Sequence, residues 1–325
     1  METLYVLRGT SIQRKDNTIR VTISDGSHKT FPVETLRHLV VPTACRVTTD
    51  VLAFLSRAGV RMSLVNYYGE FAGSLEPVEA HESGSVHLAQ ARILFEMPER
   101  MELARHFVDA SARNCASNLR YYLYRGRGDL EDSIAKMENE MLKFPKATKP
   151  EELMAYEGRT RQAYYSAWEL IHPNLRLSKR TRRPPQDRVN ALLSFANAIV
   201  YATCKHELSK THLDITLSFL HAPTQARSSL ALDLAEVFKP ILADRAVFRL
   251  VMRNELDDCS FVEHPGVCLL SETGRRRMLD TLRESLDTTE VQGKVGYRSI
   301  ILKEAFKLEA HVLGMEEYEP FVRKA

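Results

Sequence analysis

One glutamate lies on the apolar face of a predicted helix, a position where a carboxylate can do chemistry. Apolar spacing predicts this helix over residues 151–171, and Glu157, Tyr164 and Trp168 fall on one stripe of it, separated by seven and four residues. An unpaired carboxylate on such a face would lose hydration and its pKa would rise, so the position implies a positive partner or a metal ion. An ion pair with an arginine is the simpler of the two interpretations.

A histidine and two further carboxylates follow in the chain. His221 ends an apolar run and stands two residues before Pro223, which limits helix continuation, so we expect a loop-held imidazole. Asp233 and Glu236 lie three residues apart in a predicted helix over residues 230–238 and therefore project from one side of it. Their mutual repulsion becomes an attraction if a divalent cation or an arginine joins them. A hydrogen-bonded histidine without a ligand role and a solvated acidic face are the alternatives.

The segment 174–188 is the strongest local concentration of positive charge. Its single acidic residue is Asp187, and the Pro184-Pro185 pair holds the segment extended ahead of an apolar helix that begins near Val189. This arrangement makes the segment a candidate for phosphate contacts, and a solvated loop between two helices is the alternative. Its basic residues are Arg176, Lys179, Arg180, Arg182, Arg183 and Arg188.

The elements that must position these residues change in character near residue 80. Short β-rich runs bounded by turn signals dominate before this point, with one helix predicted from about Thr49 to Ala58. After it, apolar residues recur at spacings of three and four, as expected for helices. The pattern predicts an α+β protein. A small N-terminal β-sheet domain of sandwich or roll type (residues 1–80) precedes a larger all-α catalytic domain (residues 81–325).

Composition excludes several classes of protein. The 325 residues include 44% hydrophobic and 27% charged residues, as in globular proteins, and the net charge of +3 does not by itself announce nucleic-acid binding. Five widely spaced cysteines without a Cys-x-x-Cys pair argue against a zinc or redox site and favour a reducing cytoplasm. We find no signal-peptide pattern and no apolar window of membrane-spanning length, so we expect no membrane partner.

Motifs distributed over nearly the whole chain occur together in one protein family. They are Lys15 to Thr18, Phe31 to Glu34, Asn66 to Leu75, Tyr156 to Gly158, Arg182 to Pro185, Asn190 to Phe195, Phe219 to His221 and Leu232 to Pro240. In their order and context the sequence resembles the CRISPR-associated integrase of spacer acquisition, the Cas1 family, and most closely its type I-B branch. The part of the chain after about Gly274 contributes least to this resemblance.

The resemblance implies a metal-dependent DNA endonuclease and integrase that inserts captured foreign DNA fragments into a CRISPR array. It implies that Glu157, His221 and Glu236 are catalytic and bind the metal, with Asp233 as an auxiliary acidic residue. Two carboxylates and one imidazole suit Mg²⁺ or Mn²⁺, which would polarise a phosphodiester for attack by a DNA 3′-hydroxyl or by water. Some family members have aspartate at the position of Glu236, which keeps the charge but changes the reach of the ligand.

The resemblance also implies partners. These are double-stranded DNA, a second copy of the chain in a homodimer, and the small companion protein Cas2 in a heterohexameric complex. We expect DNA phosphates to be held by Arg182, Arg183, Arg227 and Lys239, so that binding weakens steeply with salt and only slightly with sequence. Two alternatives are a catalytically idle DNA-binding scaffold of the same complex and a helical interaction protein whose acids only form ion pairs. A zinc peptidase is disfavoured because a His-Glu-x-x-His helix is missing.

Overall fold

A computed structural model describes the chain over residues 2–6, 9–77, 83–177, 179–222, 228–287 and 296–323. The predicted domain boundary after residue 80 and the predicted phosphate contact Arg227 lie outside these residues. Within the described residues, strands dominate up to residue 77 and helices dominate from residue 83 onward. The predicted α+β class is therefore confirmed.

The N-terminal region consists of two four-stranded sheets and one helix. Its elements are β1 (Glu2–Tyr5), β2 (Gly9–Lys15), β3 (Thr18–Ile23), β4 (His28–Pro32), β5 (Leu36–Pro42), β6 (Arg46–Val47), α1 (Thr49–Arg57), β7 (Arg61–Val65) and β8 (Phe71–Leu75). One sheet has the order β1-β5-β7-β8, in which only β8 runs antiparallel to its neighbour. The other has the order β4-β3-β2-β6, in which β2, β3 and β4 form an antiparallel meander.

Alternating apolar residues explain why these segments form sheets. In β3, Ile19 and Val21 point into a core while the residues between them are partly exposed. The turn that follows needs a residue with positive φ, and Gly26 supplies it at +82°, while Ser27 N donates to Asp25 Oδ1 at 2.8 Å. Local sequence therefore determines both the strand and the reversal that follows it.

The C-terminal region is a packed set of helices with one short antiparallel hairpin. Its elements are α2 (Gly84–Phe95), α3 (Met97–Tyr124), α4 (Glu131–Met141), α5 (Pro150–Ser166), α6 (Trp168–Ile171), α7 (Arg188–Leu208), α8 (Ser229–Lys239), α9 (Arg245–Met252), β9 (Phe261–His264), β10 (Val267–Leu270), α10 (Glu272–Asp287) and α11 (Tyr297–Val312). The hairpin of β9 and β10 is a small departure from the all-α region that we predicted. Among the described helices, none combines the length and the apolar character needed to span a bilayer.

A break near the end of the predicted helix over residues 151–171 separates α5 from α6. Ala167 N donates to Tyr164 O at 3.2 Å, an i to i−3 bond that tightens the backbone at this point. The tightening accompanies the packing of Trp168 against Phe248, whose ring centroids lie 4.5 Å apart. Tertiary packing of one large aromatic residue thus accompanies the interruption of an otherwise continuous helical pattern.

Side chains of α3 hold the C-terminal end of α8, and the sequence contains the reason. Pro240 lacks an N–H group, so the carbonyl of Glu236 has no donor from its own helix. Ser111 Oγ donates to that carbonyl at 2.8 Å, and Asn114 Nδ2 donates to the carbonyl of Val237 at 3.0 Å. A π-helical turn over Pro240–Asp244 then leads into α9. The helix that carries Glu236 is therefore fixed in place directly at that residue.

A cluster of polar and charged side chains joins the sheet region to α7. The rings of His38 and His206 stack with centroids 4.6 Å apart, and His38 Nε2 lies 2.8 Å from Ser63 Oγ. Arg61 Nη1 donates to the carbonyl of Lys205 at 2.5 Å, which connects β7 to α7. We refer to this group as the junction cluster, and its members are His38, Arg61, Glu76, Lys205, His206 and Glu207.

Candidate functional site

Two carboxylates from separate helices meet on one guanidinium group. Arg161 Nε donates to Glu157 Oε1 at 2.8 Å, and Arg161 Nη2 donates to Glu236 Oε2 at 2.5 Å. Glu157 and Arg161 are neighbours on α5 because they lie four residues apart, whereas Glu236 reaches in from α8. The fold therefore brings two of the three predicted ligands together, and it also contains the arginine ion pair that we gave as the simpler interpretation of Glu157.

Further polar contacts surround Glu236 and keep it ionised. Lys239 Nζ donates to its Oε1 at 2.5 Å, and Arg161 Nη2 also donates to Ser111 Oγ at 2.8 Å. Burial raises the pKa of Glu236, but the charges of Lys239, Arg161 and His221 outweigh this effect and lower the pKa to about 2. Glu236 is therefore a carboxylate at neutral pH, which is the form that binds a cation.

Asp233 organises the loop that carries His221. Its side chain is fully buried, one turn before Glu236 on α8. Its Oδ2 accepts from the backbone N–H groups of Phe219 at 2.7 Å and Leu220 at 2.9 Å, and its Oδ1 accepts from His221 N at 3.0 Å. Three consecutive amide donors compensate the cost of burying this charge. The loop is thereby wrapped around one carboxylate.

The imidazole of His221 is fixed by the same carboxylate. His221 Nδ1 lies 2.7 Å from Asp233 Oδ1, and since an ionised carboxylate only accepts, Nδ1 carries the proton and Nε2 presents a lone pair in the neutral ring. Burial lowers the pKa of His221, but the bond to Asp233 and the charges of Asp233 and Glu236 raise it above its ordinary value. Asp233 lies one turn before Glu236 on α8, so its bond to His221 holds the third predicted ligand beside the helix that carries Glu236. We call this group the site cluster: Glu157, Arg161, His221, Asp233, Glu236 and Lys239.

The donor types of the site cluster fit a divalent cation. Two carboxylates and an imidazole oriented by a further carboxylate are typical ligands for Mg²⁺ or Mn²⁺. Within the part of the chain that the structure describes, no three His, Cys, Asp or Glu side chains are grouped as a ready metal site. Arg161 and Lys239 instead neutralise the carboxylates of Glu157 and Glu236. The donor types are therefore present, and in this structure Glu157 and Glu236 pair with positive side chains.

Two important members of this arrangement were not predicted. Arg161 has a detectable signal, because an arginine four residues after a glutamate forms an ion pair on a helix. Ser111 has no such signal in the neighbouring sequence, because it lies in α3 and contacts Glu236 only through the packing of α3 against α8. Lys239 was predicted as a phosphate contact, and in the structure it bonds to Glu236 three residues earlier. Sequence spacing alone does not distinguish these two uses of a lysine.

The basic segment is anchored at one arginine and exposed at two others. Arg180 is half-buried, and its Nη1 donates to Asn190 Oδ1 at 2.8 Å, which ties the segment to the start of α7. Arg182 is exposed. The side chain of Arg183 is 68% exposed, although its Nε donates to Glu70 Oε1 at 2.7 Å in the turn between β7 and β8. The segment therefore presents positive charge to solvent, while its contacts with Asn190 and Glu70 fix the course of its backbone.

Comparison with known sequences identifies similar proteins along almost the whole chain. The family described as "CRISPR associated protein Cas1" matches residues 4–284. A protein of Thermodesulfovibrio yellowstonii named "CRISPR-associated endonuclease Cas1 2" is 36% identical over 327 residues, which cover 99% of this chain and 98% of the relative. Similarity of this extent includes the sheet region as well as the helices.

Solved structures agree with the sequence comparison. A CAS1 protein from Thermotoga maritima has a TM-score of 0.87 at 30% identity, with 100% of both chains covered. A casposase bound to its integration product has a TM-score of 0.84 at 18% identity, over 99% of this chain and 94% of the casposase, which shows a shared fold. Sequence and fold thus lead to the same conclusion, and the chain belongs to the Cas1 family of CRISPR-associated proteins.

Proposed function

We propose that this chain is a divalent-metal-dependent DNA endonuclease and integrase that inserts captured DNA fragments into a CRISPR array by transesterification. Membership of the Cas1 family supports the nuclease and integrase classes. One observation carries the more detailed proposal. Glu157 and Glu236 converge on a single positive charge, and His221 lies in the same cluster with its Nε2 free of the bond to Asp233.

Each residue of the cluster has a distinct role in this proposal. Glu157 and Glu236 would hold Mg²⁺ or Mn²⁺ through oxygen, and His221 would hold it through Nε2. When bound, the metal would act as a Lewis acid toward the phosphodiester. Asp233 keeps the imidazole oriented and its Nδ1 protonated, so Nε2 stays available. The nucleophile comes from DNA or water, so cutting and joining use the same residues.

The DNA phosphates would be held by the exposed arginines of the basic segment. Arg182 and Arg183 are exposed on a segment that Arg180 fixes to α7. A contact with the DNA phosphate backbone requires such exposed positive charges at a fixed position. Such contacts position DNA without reading bases and weaken as salt rises. Lys239 is bonded to Glu236 in this structure and would reach a phosphate only after that bond opens. The proposed role of Arg227 rests on the family resemblance.

The proposed assembly is a homodimer that joins Cas2 in a heterohexamer on double-stranded DNA. The sheet region supports this arrangement because it presents open edges. β4 forms one edge of its sheet and is exposed along most of its length, and such edges can pair between chains. A symmetric dimer would then place two site clusters on one DNA substrate.

A catalytically idle DNA-binding scaffold is the second candidate function. One observation favours it: Arg161 and Lys239 already neutralise both carboxylates, so the cluster is satisfied without a metal ion. This candidate predicts normal DNA binding and no dependence of any reaction on the cluster residues. The two candidates therefore differ in a measurable property.

Strand transfer separates these candidates. We expect Glu157→Gln and His221→Ala each to lower the rate of fragment insertion with Mn²⁺ and Cas2 by about 1,000-fold, because each removes a metal ligand. DNA binding measured by fluorescence anisotropy should remain. Glu151→Gln on the same helix and His264→Ala on β9 are exposed controls that should transfer at the wild-type rate. Unchanged insertion in both site variants would remove the proposed enzymatic role and support the scaffold.

A further inference from the structure

The segment that follows α11 turns back against α3 and α8. Gly314 ends the helix with a positive φ of +71°, and its N–H donates to His311 O at 2.9 Å. The N–H of the next residue donates to Ala310 O at 2.9 Å, and this pair of bonds reverses a chain after a helix that ends at glycine. We refer to residues 318–323 as the strap, and its first residue, Tyr318, is fully buried. The reversal therefore directs the strap onto the helical core.

A buried glutamate of α11 fixes the course of the strap. Glu304 Oε2 accepts from Phe321 N at 2.9 Å and from the hydroxyl of Tyr318 at 3.2 Å. Lys307 pairs with Glu304 Oε1 at 2.5 Å and also donates to the carbonyl of Glu319. A buried carboxylate needs such donors, because burying it without them would be costly. The strap is therefore held at specific backbone atoms as well as by apolar packing.

Asn114 on α3 joins the strap to α8, and it is buried. Its Nδ2 donates to the carbonyl of Val237 at 3.0 Å and to that of Phe321 at 3.2 Å. Its Oδ1 accepts from Arg323 N at 2.8 Å. Val237 follows Glu236 directly in α8. One buried amide therefore connects two backbone groups of the strap to the residue beside a proposed metal ligand.

The end of α8 that carries Glu236 depends on such neighbours. Pro240 lacks an N–H group, so the carbonyl of Glu236 takes its donor from Ser111 on α3. The ring of Phe321 in the strap stacks on that of Phe238, with centroids 6.1 Å apart and planes inclined by 13°. Backbone groups at a helix end that lack partners in their own helix are fixed by the groups around them. Loss of the strap contacts would therefore loosen the turn of α8 that orients the Glu236 carboxylate.

We propose that the strap is a positioning element for Glu236, which acts through Asn114 and keeps the carboxylate in the orientation that binds a divalent cation. This inference rests on the metal site of the proposed function. Asn114 and the strap are positioning groups, because they contact the backbone and an apolar ring of α8 and not the cation. A fixed carboxylate binds a cation more tightly than one that must be ordered on binding. Loss of the strap contact should therefore weaken the metal site while the fold persists.

Mn²⁺ binding to the full-length chain tests the strap, with free Mn²⁺ measured by electron paramagnetic resonance. Arg323→Pro removes the N–H that donates to Asn114 Oδ1, and we expect this variant to bind Mn²⁺ about tenfold more weakly. Arg323→Ala keeps that N–H and loses only the side chain, so it is the matched control and should bind Mn²⁺ as the wild type does. The Mn²⁺ affinity of the folded chain is a property that a purely structural contact would not change.

A second variant tests the path through Asn114. Asn114→Leu removes all the bonds of the amide at similar volume, and we expect Mn²⁺ affinity to fall by about tenfold. In the Asn114→Leu chain, Arg323→Pro should have no further effect, because the strap acts through Asn114. Arg61→Met breaks bonds in the junction cluster and should leave Mn²⁺ affinity unchanged, which controls for a general loss of stability. Circular dichroism melts identify a variant that fails to fold, and the other of the two strap variants then provides the test.

Glu157→Gln distinguishes failure of this inference from failure of the proposed function. If Glu157→Gln leaves Mn²⁺ binding intact, the proposed metal site itself is wrong. If Glu157→Gln abolishes binding while Arg323→Pro and Asn114→Leu bind Mn²⁺ as the wild type does, only the role of the strap is overturned. The same conclusion follows if Arg323→Ala weakens binding as much as Arg323→Pro.

Discussion

The site cluster and the junction cluster are both groups of buried charges, but they differ in access to solvent. In the site cluster, the side chains of Glu157 and His221 are each 24% exposed, and both carboxylates of the ligand set have cationic partners. In the junction cluster, the side chains of His206 and Glu207 are 8% and 0% exposed. Glu157 and His221 in the first group are therefore open to solvent, whereas His206 and Glu207 in the second are closed off from it and only Glu76 at its rim is exposed. Burial of charge alone therefore does not indicate a catalytic site.

The hydrogen bonds of the two clusters differ as well. In the site cluster, Asp233 has four donors, whereas His38 Nδ1, His206 Nδ1 and Glu207 Oε1 in the junction cluster have no hydrogen-bond partner among the described residues. Buried polar atoms without a hydrogen-bond partner lower the stability of the fold. Buried polar pairs, however, form only when the sheet region and α7 pack in one relative orientation. We expect the junction cluster to specify how the sheet region docks on α7.

Among the changes that test this comparison of the two clusters, the largest expected effect comes from breaking the anchor of the site cluster. Asp233→Asn replaces an acceptor-only carboxylate that serves four donors, so His221 loses its fixed ring orientation. We expect strand transfer to fall by about 100-fold and the free energy of unfolding to fall by about 3 kcal/mol. Insertion assays and urea denaturation measure the two effects. Asp280→Asn, at an exposed acidic residue on α10, is the control. A wild-type insertion rate in Asp233→Asn would contradict the anchoring role.

An intermediate effect is expected from breaking the junction cluster. Arg61→Met keeps the apolar stem but removes the ion pair with Glu76 and the bond to the carbonyl of Lys205. Glu76 is 37% exposed and can regain water, so we expect a loss of about 2 kcal/mol, below that for a fully buried pair. Urea denaturation measures it, with the exposed Arg57→Met as the control. Mn²⁺ affinity should be unchanged, and a large change in it would show that the two clusters are coupled.

The smallest expected effect is a dependence of stability on pH that originates in the junction cluster. Burial, with the charges of Arg61 and neighbouring groups, lowers the pKa of His38 and His206 well below 6.5. The unfolded chain therefore binds more protons than the folded chain below about pH 6.5, and stability falls as pH decreases through this value. Burial raises the pKa of Glu207, so its proton uptake in the folded state offsets part of the loss.

We expect these histidines together to cost about 1 to 2 kcal/mol of stability between pH 7 and pH 6, measured by urea denaturation at several pH values. His206→Phe keeps a ring against His38 and removes one titrating group, so the dependence on pH should become shallower. His28→Phe, at an exposed position on β4, should retain the wild-type slope. An equally steep slope in His206→Phe would assign the effect to other groups.

Much of the fold could be predicted because its signals are local. The predicted helix near Thr49 to Ala58 corresponds to α1, and the predicted helix over residues 230–238 corresponds to α8, because periodic apolar spacing reports directly on helices. The hairpin of β9 and β10 and the break at Ala167 were not predicted. Both depend on how distant segments pack, which single-sequence periodicity does not record.

The sequence by itself determined the donor types and their elements: a glutamate on α5, a loop-held histidine, and two carboxylates on one side of α8. Spacing along a helix sets which neighbours share a face, so these features follow from local geometry. Only the tertiary structure decided that Arg161 bridges Glu157 and Glu236 and that Asp233 anchors His221. Partners between helices depend on how those helices pack, and charge balance depends on which surfaces the packing excludes from water.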